Sequence, residues 1–243
     1  EAVDVAIKSA RFATGRKKIV SIIKAYHGHT GLSIATGDDR FLKMFNCSRP
    51  DEFAHVPFND IDAMERALSG DDVAAVIMET IPATYGFPMP APGYLAQVKA
   101  LCEKHGALYI ADEVQTGLGR TIDFWCFEHH GITPDIVVTS KGLSGGIYPI
   151  SATILNERAA KWLYEDGFAH MATFGGSDLG CAVALKTVEI PRRAETVEHV
   201  KALDELYSKR FAKLLEKHPS LIEVRHDGTI AGLKFQGEDE PAV

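Results

Sequence analysis

Short apolar runs rich in valine, isoleucine and alanine alternate along this chain with segments of helical periodicity. That alternation constrains the fold more than any other feature. The runs are Lys18 to Ala25, Phe53 to Val56, Val73 to Met78, Leu108 to Ala111, Asp135 to Ser140 and Ile150 to Leu155. Most lack the polar alternation of a half-exposed strand, so they read as strands buried on both faces. Between them, residues 1–14 place Val3, Ala6, Ile7, Ala10 and Ala13 on one helical side, closed by Gly15. Ile61, Met64 and Leu68 follow a cap at Asn59 or Asp60 and stop at Gly70, and residues 93–105 carry Leu95, Val98, Leu101 and Cys102. Such alternation predicts βαβ units, an α/β fold with a mostly parallel sheet flanked by helices.

The pattern changes after about Thr187. Val197, Val200, Leu203, Tyr207, Phe211, Leu214 and Leu215 recur every three or four residues along one long helix ending near His218-Pro219. Leu221 to Phe235 is strand-like and broken by Asp227-Gly228. We expect a large sheet-centred domain over residues 1–190 and the start of a smaller α+β domain over 191–243. Residues 38–52 show no period and read as irregular.

Several buried runs end in groups able to do chemistry. Leu108-Tyr109-Ile110-Ala111 runs into Asp112-Glu113, and Ile136-Val137-Val138-Thr139-Ser140 into Lys141. Val73 to Met78 ends at Glu79, and the first strand at Tyr26-His27-Gly28. In open α/β sheets, ligands collect at the carboxyl ends of the strands. A carboxylate and an amine delivered there suit a cofactor with a cationic ring nitrogen and an aldehyde carbon, and pyridoxal phosphate has both. Asp112 would hold the ring protonated as an electron sink. Gly142, Gly145 and Gly146 leave little bulk around Lys141, as close approach to a ligand carbon requires. Taken singly, Lys141 also reads as an exposed loop lysine and Asp112 as a turn cap. It is their convergence that favours a site.

Other chemistries fit less well. The P-loop pattern is missing, and Gly117-Leu118-Gly119 lacks the third glycine of a dinucleotide fingerprint. His27, His29, His129 and His130 show no metal-ligand spacing with cysteine or carboxylate, so no metal is expected. A net charge of −7 leaves no basic stripe for nucleic acid, and no apolar run reaches membrane-spanning length. Cys47, Cys102, Cys126 and Cys181 form no CxxC pair, which points to a reducing, cytoplasmic setting.

Three segments together carry a family resemblance: Ala111-Asp112-Glu113-Val114-Gln115-Thr116-Gly117-Leu118-Gly119-Arg120-Thr121, Pro134 to Gly142, and Thr173-Phe174-Gly175-Gly176. With Glu1-Ala2-Val3 and Tyr26-His27-Gly28 in the same order, the chain resembles class III pyridoxal-phosphate aminotransferases of fold type I. The resemblance implies pyridoxal 5'-phosphate bound by Lys141 as a Schiff base, with the freed Lys141 amine later moving a proton. It implies Asp112 at the pyridine nitrogen, Val114 and Tyr26 on the two ring faces, Gln115 near the ring hydroxyl and Glu79 close by. Thr173 would reach the phosphate of a neighbouring subunit, making the protein a homodimer or higher homo-oligomer. The expected substrates are an amino acid or amine as donor and a keto acid or aldehyde as acceptor. A racemase, aminomutase or decarboxylase of the same fold, or a catalytically silent homologue, are the alternatives.

Members of that family are longer. The present sequence starts at the helix that follows their phosphate-binding turn, so that turn and most of the C-terminal domain are expected to lie outside it. Glu79-Thr80 stands in place of the usual Glu-Pro, and Ser177-Asp178 in place of an asparagine-proline pair. Both departures leave the substrate open.

Overall fold

The computed structural model describes residues 1–237. Residues 238–243, the end of the expected smaller domain, lie outside the described residues. The centre is a six-stranded sheet in the order β2-β1-β3-β4-β5-β6. Its strands are β1 (Lys18–Ile22), β2 (Phe53–Val56), β3 (Val73–Glu79), β4 (Leu108–Asp112), β5 (Ile136–Thr139) and β6 (Ala152–Leu155). β1 to β5 pair in parallel and β6 is antiparallel to β5. Each expected strand is present. β1 stops at Ile22 rather than running on to Ala25, because the chain turns there through Lys24 at φ 65°.

Side-chain parity divides the sheet between two cores. Ala75 and Ile77 of β3, Leu108 and Ile110 of β4, and Ile136 and Val138 of β5 face helix α1 (Ala2–Thr14), which buries Val3, Ala6, Ile7 and Ala10 against them. Val76 and Met78, Tyr109 and Ala111, and Val137 face the other way, toward α3 (Ile61–Leu68) and α4 (Tyr94–Lys104). This double cover is why β3 and β4 are buried at every position and read as unbroken apolar runs.

The helices end where the punctuation predicts. Gly15 adopts φ 66° and its N–H returns to the Arg11 carbonyl. Asp60 is the cap of α3, its side chain accepting from the Ala63 N–H at 2.8 Å. Residues 39–44, expected to be irregular, form a short helix α2 (Asp39–Met44) capped by Asp38. It is little more than one turn, too short to show a period.

Two further helices, α5 (Lys161–Glu165) and α6 (Asp178–Glu189), precede the long α7 (Ala194–Lys217). A hairpin of β7 (Leu221–Asp227) and β8 (Ile230–Phe235) forms a separate two-stranded sheet turning at Gly228. No helix among the described residues is long and apolar enough to cross a membrane.

The Asp60 cap satisfies an N–H that α3 cannot pair internally. Asp60→Ala should lower stability by about 0.5–2 kcal/mol, read as a shift in the urea midpoint at unchanged slope.

Candidate active site

β3, β4 and β5 end side by side. Glu79 lies opposite Asp112 in the β3–β4 register, and Asp112 lies opposite Val138 in the β4–β5 register. Parity carries both carboxylates onto the α1 side, above Ile77 and Ile110. There they open into a cavity of about 180 Å³ lined by Tyr26, His27, Glu79, Asp112, Val114, Gln115 and Lys141, together with the first residues of α1. Six of the seven residues expected at the site therefore meet in one cavity.

Thr173 does not line it. It sits exposed on a second, wider depression that shares Lys141, Ser140, Ser151, Glu1 and Ala2 with the first.

Asp112 is buried and its two oxygens are both held. Oδ1 accepts from the Val114 N–H at 3.0 Å, and Oδ2 lies 2.7 Å from His27 Nδ1. His27 is buried too, and its Nε2 lies 3.3 Å from Ser21 Oγ on β1. This pairing fixes the orientation of the carboxylate. In the sequence, the place of His27 directly after Tyr26 at a strand end signals proximity to the site but not its partner.

Glu79 accepts from the Tyr26 N–H at 3.1 Å and the Ala83 N–H at 3.3 Å. Burial pushes its pKa up to about 7; His27 opposes the rise and neighbouring Asp112 adds to it. Tyr26 is half-buried, edge-on to His29 at 4.9 Å between ring centroids and to Phe41 at 6.3 Å.

Glu113, one residue past Asp112, points away from the cavity into a closed polar nest. Thr80 Oγ1 and Thr116 Oγ1 donate to it at 2.5 and 2.9 Å, and the Cys126 and Phe127 N–H groups at 3.0 and 3.1 Å. It anchors the loop after β4 to the one after β3. No sequence signal separated its role from that of Asp112.

Lys141 opens a 3-10 turn (Lys141–Ser144) with φ 39°, in the left-handed region that a side chain bearing Cβ rarely enters. Its backbone is clasped on several sides. Ser144 Oγ donates to the Lys141 carbonyl at 2.7 Å, and the Leu143 N–H to the Ser140 carbonyl at 2.8 Å. Thr187 of α6 donates to the Leu143 carbonyl at 2.7 Å. The Lys141 amine forms no hydrogen bond or ion pair among the described residues. Gly145, expected to make room for a ligand, answers to α6 instead: it holds φ 56°, and a Cβ there would lie 2.8 Å from Thr187 Cγ2.

An unpaired lysine amine and a fixed buried carboxylate on one cavity are the donor set for pyridoxal phosphate: one group for its aldehyde, one for its ring nitrogen. The Aminotransferase class-III family model matches residues 1–242. The chain belongs to the class-III aminotransferase family. Membership brings the fold type I architecture seen here and pyridoxal phosphate as the cofactor.

An uncharacterized aminotransferase of Archaeoglobus fulgidus is 47% identical over 238 residues, 98% of this chain and 56% of that protein. The ornithine aminotransferase of Toxoplasma gondii ME49 superimposes with a TM-score of 0.90 at 28% identity, covering 97% of this chain and 57% of that one. The taurine:2-oxoglutarate aminotransferase of Bifidobacterium kashiwanohense, solved in complex with PLP and glutamate, gives 0.88 at 29% identity, covering 96% and 58%. The chain thus spans little more than half the length of the relatives it matches.

The raised Glu79 pKa has a consequence with a definite sign. The folded chain holds this proton up to about 7, whereas the ordinary value is 4.5. Between these values the folded state binds more protons than the unfolded one, so stability falls as pH rises from about 4.5 to about 7 and levels off above. Urea unfolding of the cofactor-free protein at pH 5 and pH 8 should show this loss in the wild type and a smaller one in Glu79→Gln. Equal losses in the two proteins would contradict it.

Proposed function

We propose that this chain is the cofactor-holding part of a pyridoxal-phosphate-dependent aminotransferase. It would move an amino group from an amino acid or amine to a keto acid or aldehyde. One observation carries the reading: the free Lys141 amine and the doubly held Asp112 carboxylate face the same cavity in a class-III chain.

When bound, pyridoxal phosphate supplies an electron sink that stabilises negative charge on the carbon next to nitrogen. The protein's share is positional. Asp112, oriented by His27 and the Val114 N–H, presents a fixed acceptor to the ring nitrogen. Val114 and Tyr26 border the space for a flat ring, and Gln115 brings a side-chain amide to the same wall. Lys141 would hold the cofactor's aldehyde carbon, and its Nζ, when free, would carry a proton to and from the carbon next to nitrogen. A lysine does this best when the amine is unpaired and its stem free to swing.

The assembly we infer is a homodimer or higher homo-oligomer. Phe168, Met171 and Phe174 flank Thr173 at 80%, 70% and 78% exposure, a concentration of apolar surface around a residue assigned to a neighbouring subunit's phosphate. The smaller unit from residue 191 onward, with α7 and the β7–β8 hairpin, is read as the start of the second domain. Four free cysteines, Cys47, Cys102, Cys126 and Cys181, accord with a reducing, cytoplasmic setting.

Lys141→Ala in the full-length enzyme should remove the absorbance of covalently held cofactor and lower turnover by at least about 10²–10⁴-fold. An active variant with that absorbance intact would refute the assignment. Sustained turnover of an amino acid only when a keto acid or aldehyde is added separates transamination from racemisation and decarboxylation. Sedimentation of the full-length protein should give a dimer or larger; a monomer that turns over would remove Thr173 from the site.

A further inference from the structure

At the other end of the loop that follows Asp112, three side chains of different chemistry converge. Cys126 and His129 belong to a 3-10 turn (Cys126–His130), and Asp227 ends β7. One ligand-capable atom from each lies within 4.8 Å of the other two. His129 Nδ1 is 3.4 Å from Asp227 Oδ2. Two ligands on a tetrahedral zinc with bonds of about 2.0–2.1 Å stand roughly 3.3 Å apart, so this pair is already at coordination spacing.

His129 is also oriented as a ligand would be. Its second ring nitrogen, Nε2, lies 3.1 Å from Asp123 Oδ2. A metal-binding histidine almost always gives its other N–H to a carboxylate or carbonyl, which fixes the tautomer and turns the free nitrogen toward the ion. Cys126 is fully buried, while His129 and Asp227 side chains are 23% and 25% exposed. The set is closed toward the protein and open on one side.

We propose that Cys126, His129 and Asp227 form a zinc site that ties the β7–β8 hairpin to the body of the sheet domain. Binding releases the Cys126 proton to solvent, since zinc coordinates the thiolate. The consequence reaches beyond the ligands because the hairpin turn is seated tightly. Thr229 N–H donates to the Arg120 carbonyl at 2.9 Å, and a Cβ on Gly228 would lie 2.4 Å from that same oxygen. Arg120, Thr229 and Ile230 also line a cavity that extends from Lys141. Zinc at this point would stiffen that wall.

The sequence hid the set because Asp227 comes from far along the chain. The inference does not depend on the proposed reaction.

The test uses the full-length, cofactor-loaded protein, freed of metal by chelation and dialysed against zinc. One equivalent should bind per chain and raise the melting temperature with zinc concentration. Cobalt in its place should give the visible bands of a tetrahedral thiolate site, to the red of the cofactor. Cys126→Ser and His129→Gln should abolish both signals, and Asp123→Asn should weaken zinc binding by about 10–100-fold. No stoichiometric uptake by the wild type overturns the proposal whatever the variants do. Undiminished uptake in Cys126→Ser and His129→Gln overturns it equally.

Discussion

Three carboxylates are buried at the ends of two neighbouring strands, and the surrounding loops are shaped by the need to satisfy them. Glu79, Asp112 and Glu113 each lie at 5% exposure or less. A buried carboxylate is costly unless donors or a counter-charge meet it, and adjacent ones raise that cost for each other. The structure answers each differently. Glu113 receives four donors and becomes a closed fastener. Glu79 receives two N–H groups and responds by holding its proton more tightly. Asp112 receives one N–H and one imidazole, both on the protein side, and turns its remaining acceptor capacity to the cavity. The chemistry of the site follows from this unequal distribution of donors.

Much of this was legible in sequence, and the part that was not has a common cause. Buried parallel strands write themselves as unbroken apolar runs, so the sheet and the polar groups at its carboxyl edge could be located. Glu79, Asp112 and Lys141 stand out in the sequence because each follows such a run directly. What escaped depends on contacts between distant segments. His27 could be placed at the edge but not paired with Asp112, because that pairing brings together the ends of β1 and β4. Gly145 looks in sequence like room for a ligand, but its neighbour is Thr187 of α6. α6 carries apolar residues all round, from Leu179 and Val183 to Leu185 and Val188, so no single stripe marks the face it packs with.

Parity explains why one face of the sheet is chemical and the other is not. Residues that alternate with the α1 core along β3 and β4 lead to Glu79 and Asp112, while those facing α3 and α4 end in Met78 and Ala111. A one-residue slip of register would exchange the two sets and send the carboxylates into the α3–α4 core. The apolar pattern that buries the strands therefore also aims the acids. Changes in Ile77 or Ile110 would disturb the site without touching it.

The backbone at Lys141 is held as firmly as the carboxylates. A non-glycine residue at φ 39° costs on the order of 1–3 kcal/mol and persists only where its surroundings leave no alternative. Here Ser144, the Ser140–Leu143 turn and Thr187 remove the alternatives by holding the carbonyls on either side. The side chain is left alone, with an amine that nothing among the described residues engages. A held main chain and an unengaged stem are the combination the proposed proton carrier needs: with the pivot fixed, the amine would sweep only a small arc over the carboxylate-lined cavity. Relaxing the pivot, by removing the Thr187 hydroxyl that ties it to α6, would blur that arc before it unfolded anything.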